Sequence, residues 1–149
     1  MRERYFKFKQ FGVYHQLSAM KVGVDAVLLG AWTDVSNAQK ILDVGCGCGV
    51  ITLMLAQRAD QSLIEGVDID EASVEEAQRN VNDSPWCDRV IISNKDFMSM
   101  QGQWDLIVSN PPYITAGEML ESAEKKIYAL RKGDRQDSLE HIGTILHKV

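Results

Sequence analysis

Three prolines, three cysteines and the lack of any long uninterrupted apolar run in 149 residues exclude several classes at once. Prolines this sparse, beside plentiful apolar residues, exclude collagen-like and low-complexity chains. Cys46, Cys48 and Cys87 leave at least one thiol unpaired within the chain, and four-ligand zinc spacing is missing, so neither a disulfide scaffold nor a metal site is expected. Cys46 and Cys48 stand between glycines in a tight turn, where small size is the first requirement. The longest nearly apolar stretch, Val44 to Ala56, is interrupted by glycines and Thr52 and falls short of the roughly 20 residues that cross a bilayer. Met1 to Gln10 alternates charge with aromatic rings and has no apolar core of a signal peptide, so a cytoplasmic location is expected.

What is present is the balance of a globular chain, with 45% hydrophobic and 25% charged residues and a net charge of −5. One domain of this length buries about 68–70% of its unfolded surface, enough for a sizeable core without staples. The overall charge argues against a general nucleic-acid binder, but it is unevenly spread. Residues 1–24 hold five basic and one acidic side chain, residues 25–124 five basic and seventeen acidic, and residues 125–149 six basic and three acidic. Such ends are either ordinary solvated faces or, if the fold brings them together, one footprint for a polyanion.

Lys40 to Val44 is a short apolar run ending in glycines, and Val50 to Ala59 follows with helical spacing, so the segment reads as strand, glycine-rich turn, helix. A second strand is predicted over Ser62 to Asp68 and a helix over Glu71 to Asn82, stopped by Ser84-Pro85. Third and fourth strands are predicted over Arg89 to Ser93 and Trp104 to Ser109, the last ended by Asn110-Pro111-Pro112 because proline has no N–H for a ladder. Short connections between alternating strands and helices predict an α/β fold: an open, mainly parallel sheet with helices on both faces. Helices are also expected over Glu118 to Leu130 and Ser138 to Val149.

The first chemical motif is Asp43-Val44-Gly45-Cys46-Gly47-Cys48-Gly49 between the first strand and its helix. Glycines there let the backbone turn tightly and approach a ligand. The spacing is not a P-loop, and Asp43 would repel a pyrophosphate while suiting a ligand with an ammonium group. Asp68, with Asp70 as the alternative, ends the second strand where open α/β sheets place a carboxylate for ribose hydroxyls. Asp96 and Phe97 follow the third strand and suit an adenine by its amino group and its face. A ligand with an amine end, a ribose and an adenine matches S-adenosylmethionine. Asn110-Pro111-Pro112-Tyr113 is the most specific signal: the prolines fix the backbone, aim the Asn110 side chain and the Pro111 carbonyl into one cleft, and leave Tyr113 to stack on a planar group.

Asp43 to Gly49 resembles motif I, and Asn110 to Tyr113 motif IV, of the class I S-adenosylmethionine-dependent methyltransferases that modify exocyclic or side-chain amide nitrogens. Phe6 to Phe11 and Ala19 to Trp32 are similar to one bacterial branch, which methylates N6 of the adenine next to the anticodon of tRNA1(Val). The resemblance covers residues 6 to 113 and implies a Rossmann-like methyltransferase fold with S-adenosyl-L-methionine as cofactor. It implies that Gly45, Gly47 and Gly49 line the methionine part, Asp68 holds the ribose, and Asp96 and Phe97 hold the adenine. Lys21 and Asp25 would close over the cofactor, Asn110 and the Pro111 carbonyl would accept the target amine's hydrogens, and Tyr113 would stack on the target base. Val24 stands where this branch is expected to carry threonine.

On this reading residues 1–36 form a basic, cofactor-covering segment and residues 37–149 the S-adenosylmethionine-binding domain, with tRNA meeting basic segments 2–21 and 125–135. A glutamine-amide methyltransferase acting on a release factor, another nucleic-acid amino methyltransferase, and an inactive cofactor-binding fragment remain as alternatives. The family's sheet has about seven strands, whereas only four are predicted here. The sequence is therefore expected to stop short after the fourth strand, leaving 104–109 as an uncovered edge open to self-association.

Overall fold

The computed structural model describes residues 4–18, 21–110 and 128–131. A small antiparallel hairpin, β1 (Tyr5–Lys7) and β2 (Gly12–Tyr14), is followed by helix α1 (Val24–Trp32). Then come β3 (Lys40–Val44), α2 (Val50–Arg58), β4 (Leu63–Asp68), α3 (Glu71–Asn82), β5 (Val90–Asn94), a 3₁₀ turn at Phe97–Ser99, β6 (Leu106–Ser109) and β7 (Tyr128–Arg131). The strand-turn-helix reading of 40–58 and the helix over 71–82 match the sequence prediction, and the other strand boundaries lie within two residues of it.

The larger sheet has the order β5-β4-β3-β6-β7, with the first four strands parallel. Parallel neighbours need crossovers, and α2 and α3 supply them. From β3 the chain winds outward through β4 to β5 and then returns to the other side of β3 with β6. Neighbouring crossovers thus diverge at β3 and β6, the switch point at which open α/β sheets bind ligands. β6 is buried at all four positions and β3 at all but its first, as expected of strands covered on both faces, while β5 alternates.

Two findings correct the sequence reading. β6 is not an open edge, because β7 pairs with it antiparallel from Leu106↔Arg131 to Ser109↔Tyr128. Its outer backbone groups are therefore hydrogen-bonded, and the physical reason for expecting self-association through 104–109 is removed. Nor does a helix run through Leu130, since Tyr128–Arg131 is extended. A four-residue apolar stretch between charges is too short to show a period, so helix and strand could not be told apart there. The rest of that expected helix, and the one over 138–149, lie outside the described residues.

Residues 4–32, to which no elements were assigned from the sequence, join the same core. Phe11 and Val13 of the hairpin segment and Ala26 and Leu29 of α1 are buried in one cluster with Ile41, Leu53 and Leu55. Phe11 meets Trp86 edge-on at 5.5 Å. Across the sheet a second cluster joins Leu42, Val44, Val67, Phe97, Trp104 and Ile107. Two arginines close helix ends: Arg58 Nη1 donates to Gly30 O and Thr33 O after α1, and Arg89 donates to Ala56 O, Ala59 O and Ser62 O after α2. A guanidinium there satisfies carbonyls that helix geometry leaves unpaired. Among the described residues no helix is long and apolar enough to cross a membrane.

Candidate active site

The parallel register brings the strand ends level. Val44 pairs with Val67 on one side and Ser109 on the other, and Asp68 pairs with Asn94. The residues that leave these strands therefore emerge along one rim: Gly45 after β3, Asp68 and Ile69 at the end of β4, Asp96 after β5 and Asn110 after β6.

The turn after β3 is built by its glycines. Gly45, Gly47 and Gly49 have φ of +70°, +53° and +86°, the left-handed region that glycine enters without steric cost. The amides of Gly45 and Cys46 both donate to Val67 O, at 2.8 and 2.9 Å, which ties the turn to β4. A Cβ at Gly45 or Gly47 would meet nothing within 4 Å. The space over the turn is thus open, and bare backbone faces it.

Two carboxylates flank this cradle. Asp68 Oδ2 accepts the Gly47 N–H at 2.8 Å and Oδ1 accepts the Asp70 N–H at 2.9 Å. Asp43 is 1% exposed. Its Oδ2 accepts the Thr52 hydroxyl at 2.6 Å, while Oδ1 is buried with no hydrogen-bond partner. Burial, with Asp68 nearby and the Thr52 hydroxyl acting in the opposite sense, raises the Asp43 pKa to about 7. An orphaned acceptor on a raised-pKa acid, beside an open glycine cradle, fits a ligand that brings a positive charge.

The remaining predicted site residues fall into distinct places. Asp70 is not interchangeable with Asp68, because its carboxylate caps α3 through the Ser73 N–H and hydroxyl. Asp96 Oδ1 accepts the Met98 N–H and starts the 3₁₀ turn. Phe97 is buried in the second core cluster. The apolar side chains exposed on this rim are instead Ile69, at 76%, and Met98, at 54%. Lys21 Nζ donates to Gln16 O and Ser18 O, and Asp25 sits half-buried in the first turn of α1. Asn110 is half-buried at the end of β6, next to Ser109, whose hydroxyl donates to Val44 O at 3.0 Å. Pro111, Pro112 and Tyr113 lie outside the described residues. Cys46 and Cys48 are buried, and burial pushes both thiols up, Cys48 to about 11, so neither is a ready nucleophile.

Sequence reasoning missed Thr52, Glu76 and Asn80. Thr52 is the lone polar residue in the apolar run Val50 to Ala56, and that isolation was the available signal for a buried partner. Glu76 and Asn80 are spaced i,i+4 on the buried face of α3. The Glu76 carboxylate accepts the N–H groups of Gln16, Leu17 and Ser18 and the Ser18 hydroxyl. Burial alone would raise its pKa, but these donations prevail and hold it below the usual carboxylate range.

Comparison with known proteins adds to this geometry. A family model described as the methyltransferase small domain matches residues 10–133. A protein of Phocaeicola vulgatus named tRNA1(Val) (adenine(37)-N6)-methyltransferase is 53% identical over 117 residues, covering 77% of this chain and 50% of that one. A Tolumonas auensis protein of the same name is 44% identical over 124 residues, covering 82% and 52%. The chain thus spans about half the length of these curated relatives. Among solved structures, P. horikoshii TYW2 in complex with MeSAdo superposes with a TM-score of 0.59 over 84% of this chain and 48% of that one, at 12% identity, a likeness of fold.

Proposed function

Because the chain belongs to the methyltransferase small domain family, we propose that it binds S-adenosyl-L-methionine over the Gly45–Gly49 turn and methylates the N6 amino group of an adenine in tRNA, next to the anticodon of tRNA1(Val). The observation that carries this reading is the β3–β6 register. Val44 opposite Ser109 sets Asn110, the first residue of the Asn-Pro-Pro-Tyr motif, at the rim beside the glycine turn. The relatives' printed names support the tRNA substrate over a release-factor amide.

When bound, the cofactor supplies an electrophilic methyl group on a sulfonium. The chain's own groups do the rest. Asp43, buried beneath the turn, would favour the cofactor's ammonium through its charge, and Asp68 would offer its carboxylate to the ribose hydroxyls. Asp96 receives the adenine amino group, and Ile69 and Met98 offer apolar surface to the adenine faces in place of the buried Phe97. Asn110 and the Pro111 carbonyl accept the two hydrogens of the target amine. An exocyclic adenine amine is a weak nucleophile because its lone pair is delocalised into the ring. Two acceptors would favour the tetrahedral nitrogen, so no general base is needed before attack. As the N–CH3 bond forms the S–CH3 bond breaks, S-adenosylhomocysteine leaves, and the methylated nitrogen then gives up one proton to water. Tyr113 stacks on the target base, which leaves its loop at modest cost because an anticodon loop is single-stranded.

For the tRNA we assign the basic segments 2–21 and 125–135. In the first, Arg4, Lys7 and Lys9 are exposed with Tyr5 and Phe6 on the hairpin, and the Arg79 guanidinium lies 3.6 Å from the Tyr14 ring. Basic groups interleaved with rings suit phosphate contact and base stacking together. Such a reaction belongs to the cytoplasm, where tRNA is found. Calorimetric titration with S-adenosylhomocysteine tests the first step. Saturable binding that Asp68→Asn weakens at least tenfold is expected, and no binding at millimolar ligand would overturn the reading.

A further inference from the structure

Asn80 is 1% exposed and lies on α3, outside every motif that marks the site. Its carboxamide nevertheless joins three segments. Nδ2 donates to Cys48 O in the glycine turn at 2.8 Å and to Tyr14 O of the hairpin at 2.9 Å, while Oδ1 accepts the Tyr14 N–H at 2.8 Å. Ala77, one helical turn earlier, lies against the same turn: a Cβ added at Gly49 would be 3.3 Å from the Ala77 Cβ. Glu76 holds the amides of residues 16–18, and Lys21 ties two carbonyls of that loop back on itself. One buried helix face therefore braces the glycine turn and carries residues 14–18.

We propose that Asn80 is a positioning residue that couples the glycine turn to the amino-terminal segment, so that occupancy of the turn stiffens residues 14–18. A buried carboxamide with bonds to two otherwise separate backbones cannot yield at one without straining the other, because an unpaired buried carbonyl or N–H is costly. Cys48 lies between Gly47 and Gly49, both at positive φ, so the Nδ2 bond to its carbonyl fixes the turn between its two left-handed residues. By the reciprocity of linkage, whatever orders the hairpin segment also strengthens binding at the turn. This assignment rests on the reading of that turn as the cofactor site.

Site-resolved amide exchange on the whole chain, with and without S-adenosylhomocysteine, tests it. In the wild type the Tyr14, Gln16, Leu17 and Ser18 amides are expected to exchange more slowly with ligand, together with those of 45–49. In Asn80→Ala the ligand binds roughly fivefold or more weakly; at saturation protection persists at 45–49 and is lost at 14–18. Slowing confined to 45–49 in the wild type overturns the coupling even if the variant fails to fold. Slowing at 14–18 that survives in Asn80→Ala shows direct ligand contact and also overturns it. Absence of any ligand effect refutes the cofactor reading itself.

Discussion

Asp43 carries the clearest residue-level consequence. Its folded pKa of about 7 stands above the ordinary 3.8. The folded chain therefore holds more protons than the unfolded one between those values, and stability must fall as pH rises from about 4 through about 7. Asp43→Asn keeps the size and an acceptor for Thr52 but does not titrate. Chemical unfolding at pH 5 and pH 8 should show the variant gaining relative to the wild type at the higher pH, and an unchanged difference would refute the buried charge. The ionised form favours a ligand ammonium, so S-adenosylhomocysteine affinity should fall as pH drops below about 7, and Asp43→Asn should bind weakly with no such slope. Gly47→Ala tests the cradle in another way. Alanine at φ +53° costs roughly 1–2 kcal/mol of stability and fills open space that the ligand would need. Calorimetry should show binding lost in a chain that still unfolds cooperatively.

At the scale of elements, the strand-turn-helix units were legible because each one states its own period and boundary. Lys40 to Val44 runs into glycines, and Glu71 to Asn82 has a polar-faced helical period closed before Pro85. The hairpin was not, since its strands have three residues each, β1 is exposed at every position and β2 buries Val13 alone, too little to print a pattern. The candidate site divided along the same line. The places of the turn glycines, Asp68 and Asn110 at strand ends could be read from the sequence, because each follows or ends a legible strand. Partners chosen by tertiary packing, such as Thr52 for Asp43 and Asn80 for Cys48, could not. Phe97 shows the limit: an aromatic after a strand fits a ligand face or a core equally well, and here it packs with Leu42, Val44 and Trp104. Arg89 is an element-scale device with its own test. Arg89→Met removes three donations to carbonyls at the end of α2 and should cost about 1.5–3 kcal/mol in urea unfolding. The S-adenosylhomocysteine dissociation constant of the folded variant should not change.

For the whole molecule, the sheet order sets the layout. Asp68 and Asp96 lie on the rim at the carboxyl ends of β4 and β5 with Asp43 buried near the end of β3, while Arg4, Lys7 and Lys9 lie on and beside the hairpin. On the proposed reading, a tRNA meets positive charge without competing for the acidic seat assigned to the cofactor. Lys7→Ala should weaken tRNA binding and reduce its salt slope by about 1, with cofactor affinity unaltered; equal weakening of both would contradict this division. Methyl transfer to adenine N6 in tRNA, the proposed activity, is read out by nucleoside analysis. Unmodified tRNA1(Val), and the same tRNA with guanosine in place of the adenine next to the anticodon, are incubated with the chain and S-adenosyl-L-methionine and then digested. N6-methyladenosine is expected from the first tRNA and none from the second. Its absence from both, in a preparation shown to bind S-adenosylhomocysteine, would rule out methyl transfer to this adenine by the chain.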